Sequence, residues 1–407
     1  MKIVFLDVEQ GDSTLVMLED GTSILVDCNF TDDNITKIKR YLSENKLSPD
    51  VIDALFITHP HEDHIRGIGK LYEEFEICSI YESGHRLYIS DEKKSPHYKD
   101  MINIFQKMKN NGKTCKQLKA YDKFNVGSAT IEVFSPTKAY LADEKPQERD
   151  IHDQCLVFRL EENGVSILFA GDSSMSAWKE RIVPYYGGFN GKKNLLESTF
   201  LSASHHGSNT FFYSTSKADG EPYLWGIKKI NPIITVISAA EANKHGLPDR
   251  KALELYKKYT HGIPNNVYQT RWYKDIIVQT KSNGNFQLFT EDFLERCSFK
   301  DLEDTYATII SSPPPDVNGF YKKNVNIEFQ VKVNKYPKGH PAGEIRWSVL
   351  NNSILPDVNH DFYEGQKSMN FIYRNQTAYF GEHYLLCEVR DSHNRNICTT
   401  FIKVKVR

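Results

Sequence analysis

The sequence predicts a layered α/β domain followed by an antiparallel β-sandwich, and three observations point there. Over roughly the first 290 of 407 residues, short apolar runs alternate with polar, helix-length stretches, as expected of strands carrying helices between them. Composition then changes at Ser311-Ser312-Pro313-Pro314-Pro315-Asp316. Beyond that point strand-length runs recur between turn-rich segments, a spacing that suits a sandwich of about 100 residues.

Taken in order, the first region offers strands at 3–8, 14–18, 24–27, 55–58, 77–82, 130–134, 155–160, 166–170, 199–203 and 233–238. Helices are expected at 34–44, 97–110, 175–183 and 250–259, the last behind Asp249 as a capping side chain. The proline triplet lacks amide donors and stiffens the chain, so it reads as a linker or the opening edge of a domain. The second region offers strands at 325–333, 344–350, 368–373, 383–391 and 398–406. The expected domains are 1–295 and 305–407.

Bulk properties exclude several classes. Hydrophobic content of 40% and charged content of 26% are ordinary for a globular protein. A net charge of −2 argues against a uniformly basic chain that coats nucleic acid. The 7 cysteines include no C-x-x-C pair, which disfavours a disulfide framework or a cysteine-held zinc and suggests reduced thiols in a cytoplasm. No run approaches the ~18 apolar residues that cross a bilayer, so no membrane partner is expected.

The chemistry concentrates in His59-Pro60-His61-Glu62-Asp63-His64, immediately after the apolar run Val51-Ile52-Asp53-Ala54-Leu55-Phe56-Ile57-Thr58. A strand's end holds side chains on a rigid base while leaving them accessible. Imidazoles and carboxylates together suit a borderline divalent ion such as zinc. Alternation sends His59 and His61 to one side and turns Asp63 and His64 toward a second nearby point, which fits two adjacent ions. The apolar run 165–170 ends in Gly171-Asp172, whose carboxylate either bridges two cations with its two oxygens or caps the following helix. Phe200-Leu201-Ser202-Ala203-Ser204-His205-His206-Gly207-Ser208 repeats the strand-then-histidine arrangement. Two adjacent histidines cannot both point inward from an extended segment. His205 is favoured as the ligand, with His206 beside the substrate or as the alternative ligand. In Ile151-His152-Asp153-Gln154, His152 either completes the first metal's shell or sits on a surface loop. Asp27, which ends the run Ile24-Leu25-Val26, is expected to support the site from behind by orienting an imidazole.

The H-x-H-x-D-H pattern of 59–64, with Asp172 and the histidine pair, resembles the metallo-β-lactamase superfamily. That resemblance implies an αβ/βα sandwich, two divalent ions (zinc first, manganese second) and a ligand set of His59, His61, Asp63, His64, His152, Asp172 and His205. Asp63, Asp172 and His206 carry its catalytic expectation. Two ions so held activate water for hydrolysis. Asp7-Val8-Glu9-Gln10-Gly11-Asp12-Ser13 is similar to the opening of the competence-type (ComEC-like) branch, with Glu9 where glycine is usual. Arg66 departs by placing a cation after the motif. Asn243-Lys244-His245-Gly246-Leu247-Pro248 departs by putting Leu247 in a histidine's slot, which His245 could fill instead.

The competence-type resemblance implies a phosphodiesterase, foremost a nuclease acting on nucleic acid or a nucleotide. Two basic, aromatic stretches agree with that: Lys107, Lys109, Lys113, Lys116 and Lys119 with Tyr121, and Arg250, Lys251, Lys257 and Lys258 with Arg271-Trp272-Tyr273-Lys274. Trp347-Ser348-Val349-Leu350-Asn351-Asn352 and Tyr379-Phe380-Gly381-Glu382-His383-Tyr384 resemble the adenylyl/guanylyl and SMODS C-terminal sensor domain. That domain implies nucleotide second-messenger sensing in antiphage defence, with Trp347 and Tyr379 either stacking on a base or lying in the core. Two other readings stand beside the nuclease: a small-molecule hydrolase acting on a cyclic nucleotide or an ester, and a non-catalytic metal-containing sensor or scaffold.

Overall fold

The computed structural model describes residues 1–30, 32–87, 94–138, 151–260, 266–281, 284–290, 307–333, 342–350, 363–364, 372–377, 381–391 and 396–407. The chain forms two compact units, Met1–Ile276 and Ile277–Arg407. The expected boundary at 295–305 lies outside the described residues.

The first unit is an αβ/βα sandwich. One sheet runs in the order β1 (Lys2–Phe5), β2 (Thr14–Met17), β3 (Ser23–Val26), β4 (Val51–Ile57), β5 (Glu76–Glu82), β6 (Thr114–Gln117). It is antiparallel through β3 and parallel from β3 onward. The other takes β7 (Lys123–Val126), β8 (Ala129–Ser135), β9 (Val157–Glu162), β10 (Val165–Phe169), β11 (Phe200–Ser202), β12 (Ile234–Ile237) and β13 (Val267–Gln269) in sequence order. It likewise switches from antiparallel to parallel, at β10. The parallel strands β10 and β12 are buried at every residue, because layers cover both faces.

Phe56 of β4 stacks on Phe158 of β9 at 4.8 Å between centroids, and Phe158 on Phe169 of β10 at 4.9 Å, joining the two sheets through aromatic rings. Helices α1 (Asp32–Glu44), α2 (Glu62–Ile65), α3 (Ile68–Glu74) and α4 (Pro96–Asn110) belong to the first half. Ile35, Ile38, Tyr41 and Leu42 of α1 repeat at helical spacing and are buried. In the second half, α5 (Trp225–Ile230) and α6 (Arg250–Tyr259) pack with Trp178, Phe211 and Phe212 in a buried cluster that includes Ile237 and Val267.

The capping of α6 differs from the sequence expectation. Asp249 occupies the cap position without capping; its carboxylate accepts the Asn209 amide at 2.8 Å. Asn209 Oδ1 instead accepts the Ala252 amide at 3.1 Å, capping the helix from a distant loop.

The second unit holds two β-sheets. β15 (Ala307–Ser312), β16 (Asn326–Val333) and β18 (Ile372–Gln376) form an antiparallel trio. Long antiparallel pairs join β17 (Ala342–Leu350), β19 (Gly381–Asp391) and β20 (Asn396–Val406), and β14 (Phe286–Thr290) adds to β20. Trp347 of β17 stacks on Tyr373 of β18 at 5.7 Å, linking the sheets. Trp347 is 2% exposed and is therefore core, not a free stacking face; Tyr379 lies outside the described residues. The proline triplet follows β15, so it falls inside this unit and is not a linker between units. Residues 368–371 of one expected strand lie outside the described residues. Among the described residues no helix is long and apolar enough to cross a membrane.

Candidate metal centre

The centre is assembled at the C-terminal ends of β3, β4, β10 and β11, joined by the β1–β2 loop. Where β4 stops, Thr58 donates its amide and hydroxyl to Asp27 at 2.8 and 2.7 Å. Asp27 stands at φ +56° just past β3. Its Oδ2 also lies 2.8 Å from His64 Nδ1, which fixes the ring and leaves Nε2 facing inward.

Two donor groups result. His59, His61, His152 and Asp172 bring four donor atoms within 4.8 Å of one another. His61 Nδ1 lies 3.0 Å from His59 Nε2 and 3.2 Å from His152 Nε2. Asp172 Oδ2 lies 3.7 Å from His59 Nε2 and 3.8 Å from His152 Nε2. Asp12, His64, Asp172 and His206 form the second group. Here Asp172 Oδ1 lies 3.2 Å from His64 Nε2 and 3.9 Å from His206 Nε2. Asp63 Oδ2 sits 3.3 Å from His206 Nε2, at the edge of this group. The two oxygens of one carboxylate thus face two separate clusters.

Residues 6–137 match the family model described as the metallo-beta-lactamase superfamily. Over those residues the chain is similar to that superfamily. It matches no curated protein. Among solved structures, CmlA, a diiron beta-hydroxylase from Streptomyces venezuelae, is 12% identical at a TM-score of 0.41, covering 68% of this chain and 53% of its own. The chain therefore spans about half the length of that protein. ETHE1 from Myxococcus xanthus is 18% identical at a TM-score of 0.24, over 41% of this chain and 55% of its own. A Clostridium thermocellum CbhA fibronectin(III)-like module structure is 12% identical at a TM-score of 0.17, over 24% of this chain and 98% of its own. Likenesses this distant bear on neither activity nor substrate.

The centre fits a pair of cations. His64 Nε2, Asp172 Oδ1 and His206 Nε2 are buried without a hydrogen-bond partner, an expensive arrangement unless a cation meets them. In the first group three imidazole nitrogens converge on one point, where lone pairs repel unless a metal or a ring hydrogen lies between them.

Electrostatics divide the groups. Burial, with His152 beside it, lowers His61 to about 4, and burial with His64 beside it holds His59 well below the usual range. Burial also opposes charge on His206, but Asp172 and Asp12 override it and raise that ring to about 9. His64 follows the same course, lifted by Asp172 and Asp27 against burial. Burial pushes Asp12 up to about 6, with His206 and His64 pulling the other way.

The histidine pair behaves unlike the extended segment expected. His205 (φ 50°, ψ 48°) and His206 (φ 52°, ψ 28°) are both left-handed, so the turn aims both rings inward. His206 joins the second donor group, whereas His205 is outside both, with Nε2 3.6 Å from Asp172 Oδ2. His206 Nδ1 lies 3.0 Å from the Ser238 carbonyl, leaving its Nε2 for the centre. A Cβ at Gly207 would come 2.6 Å from Pro248 Cβ, so this turn needs glycine.

Asp12 went unassigned from sequence, although it stood in the quoted 7–13 motif. Gly11 was the available signal: a Cβ there would fall 2.0 Å from Asn29 Nδ2 and 2.4 Å from the Asp63 carbonyl. Asp12 N in turn donates to the Asp63 carbonyl at 3.1 Å, binding this loop to the histidine motif. Arg66 does not add a cation to the centre; it is exposed, with Nε 3.8 Å from Glu62 Oε1. His245 is exposed and in neither donor group.

Proposed function

We propose that this protein is a dinuclear metal-dependent hydrolase acting on a small ester or phosphodiester, a cyclic nucleotide included. The observation that carries the reading is Asp172, whose two oxygens face two donor groups containing buried, unpartnered ligand atoms. Zinc suits the imidazole-rich first group, and manganese is the alternative for the more carboxylate-rich second. Bound there, two ions supply Lewis-acid activation of water and of the substrate's oxygen.

The chain's own residues do the rest. Asp27 and the Ser238 carbonyl orient His64 and His206. Asp172 holds both donor groups at fixed separation. Asp12 within the second group and Asp63 at its edge add negative charge there, where an arriving water can donate a hydrogen bond.

A small substrate is favoured because much of the basic charge that sequence offered to a polymer is engaged elsewhere. Lys113 pairs with Glu76 at 3.1 Å, Arg250 with Glu254 at 3.0 Å and Lys274 with Asp7 at 3.1 Å. Lys116 lies over Phe124, and the Arg271 guanidinium over Trp272.

A nuclease effector of antiphage defence, under a nucleotide-sensing second unit, is the second reading. Its support is the similarity of residues 7–13 and 347–352 to the competence-type and sensor families. Metal-loaded protein incubated with cyclic nucleotides, aryl phosphodiesters, carboxyl esters, plasmid, single-stranded DNA and RNA separates the readings. Turnover of the small substrates, abolished by chelator, is expected. Degradation of the polymers alone would replace the first reading with the second, and chelator-insensitive turnover would remove both.

A further inference from the structure

Most donors of the first group stand just beyond a strand end: His59 and His61 follow β4, and Asp172 follows β10. His152 instead sits in a short 3-10 turn, Ile151–Gln154, whose length and hydrogen-bond geometry give it little rigidity of its own. Its side chain is 15% exposed, against 0% for His59 and 2% for Asp172. Its Nε2 is nevertheless brought to 3.2 Å from His61 Nδ1 and 3.8 Å from Asp172 Oδ2. Contacts from outside the turn must hold it there.

The neighbouring Asp153 supplies the strongest of them. The Ser174 and Ser176 hydroxyls both donate to its Oδ1, and Arg181 Nη2 lies 3.3 Å from its Oδ2. Hydrogen bonds to a charged carboxylate exceed neutral ones in strength. Both serines belong to the segment that leaves Asp172, and that segment is itself fixed. The Ser173 carbonyl accepts the Ser204 hydroxyl at 2.7 Å, and Ser173 Oγ accepts Trp178 Nε1 at 2.8 Å. Asp153 therefore joins the turn that carries His152 to the loop that carries the bridging carboxylate, while belonging to neither donor group.

We propose that Asp153 is a positioning residue for the first metal: it fixes the turn so that His152 completes that donor group, and so sets one ion's affinity without binding it. This rests on the two-ion centre of the hydrolase reading and adds to it a control over one ion alone. The second group is spared because its imidazoles are oriented from elsewhere, His64 by Asp27 and His206 by the Ser238 carbonyl. Asp172 likewise keeps its own anchors when Asp153 is lost, through Ser173 and through its amide, which donates to Cys155 Sγ at 3.3 Å.

The test titrates metal-free parent, Asp153→Ala, Asp153→Asn, Ser176→Ala, His152→Ala and the Asp153→Ala/His152→Ala double variant with zinc against a chromophoric chelator. Each is also charged with one equivalent of cobalt, whose visible absorption reports the coordination, and unfolded in denaturant. Asp153→Ala should weaken one of the two binding steps by about 10–100-fold, the same step that His152→Ala weakens, and leave the other unchanged. The double variant should bind no more weakly than His152→Ala alone, because Asp153 acts through that ring. Asp153→Asn keeps an acceptor for the serine hydroxyls and recovers part of the loss; Ser176→Ala shows a smaller loss at the same step. Should Asp153→Ala fail to fold, the last two variants carry the test. Equal weakening of both steps would overturn the proposal. So would lowered stability with both affinities and the cobalt spectrum unchanged, which would leave Asp153 a structural role and the two-ion centre intact. A parent that binds no divalent ion would sink the proposal together with the hydrolase reading.

Discussion

Asp27 Oδ2 lies 2.8 Å from His64 Nδ1, and that contact decides which imidazole nitrogen enters the metal centre. The same carboxylate accepts both the amide and the hydroxyl of Thr58, so it sets the strand end and the ligand together. Replacing Asp27 with Ala should weaken metal binding by roughly 10–100-fold, with the second ion lost first. Competitive titration against a chromophoric chelator measures this; unchanged affinity for both ions would remove Asp27 from the account.

Metal removal should leave a folded but weaker protein. Ions bound only to the native state add stability by mass action, about 2.7 kcal/mol at one hundred times Kd. Chelator should therefore lower Tm, and zinc or manganese should restore it. A Tm indifferent to chelator in a protein shown to have lost its ions would contradict this.

The groups should differ in proton release. His206, raised to about 9, and His64, lifted well above its usual range, are protonated at pH 7 without metal, so loading their group expels protons and tightens as pH rises. His61, lowered to about 4, and His59, held well below its usual range, are already neutral, so these two rings release none between pH 5 and 8. Calorimetry in buffers of different protonation enthalpy counts these protons. Equal release at both steps would refute the division.

Gly11→Ala should destabilise the first unit by more than 2 kcal/mol and loosen Asp12, because the new Cβ meets Asn29 Nδ2 and the Asp63 carbonyl, both fixed. Denaturant unfolding and metal titration would register the two effects; wild-type values in both would show that the loop can yield.

Trp347→Ala should cost the second unit about 3–5 kcal/mol, since the ring is buried against Tyr373. Should the variant stay folded and lose binding to a nucleotide that the parent binds, the ring would have a recognition role after all.

Sequence alone pointed to most of the candidate metal donors and to where strands end. His59, His61, His64 and Asp172 were legible because each follows an apolar run, and a run's end is a local property of the chain. The strand expected at 166–170 and the helix expected at 250–259 were legible through the same local periodicity, and both formed. Only the tertiary structure decided which donors meet. His152 and His61 are 91 residues apart, and their approach depends on β9 pairing with β8 and β10. Asp12 reaches the second group through a loop held by Asn29 and Ser238, contacts without a sequence period. Hydrophobic alternation also could not show that His205 and His206 are left-handed. That conformation is imposed by hydrogen bonds to Gly171 and Ser238 and by the close approach of Pro248, all distant in the chain.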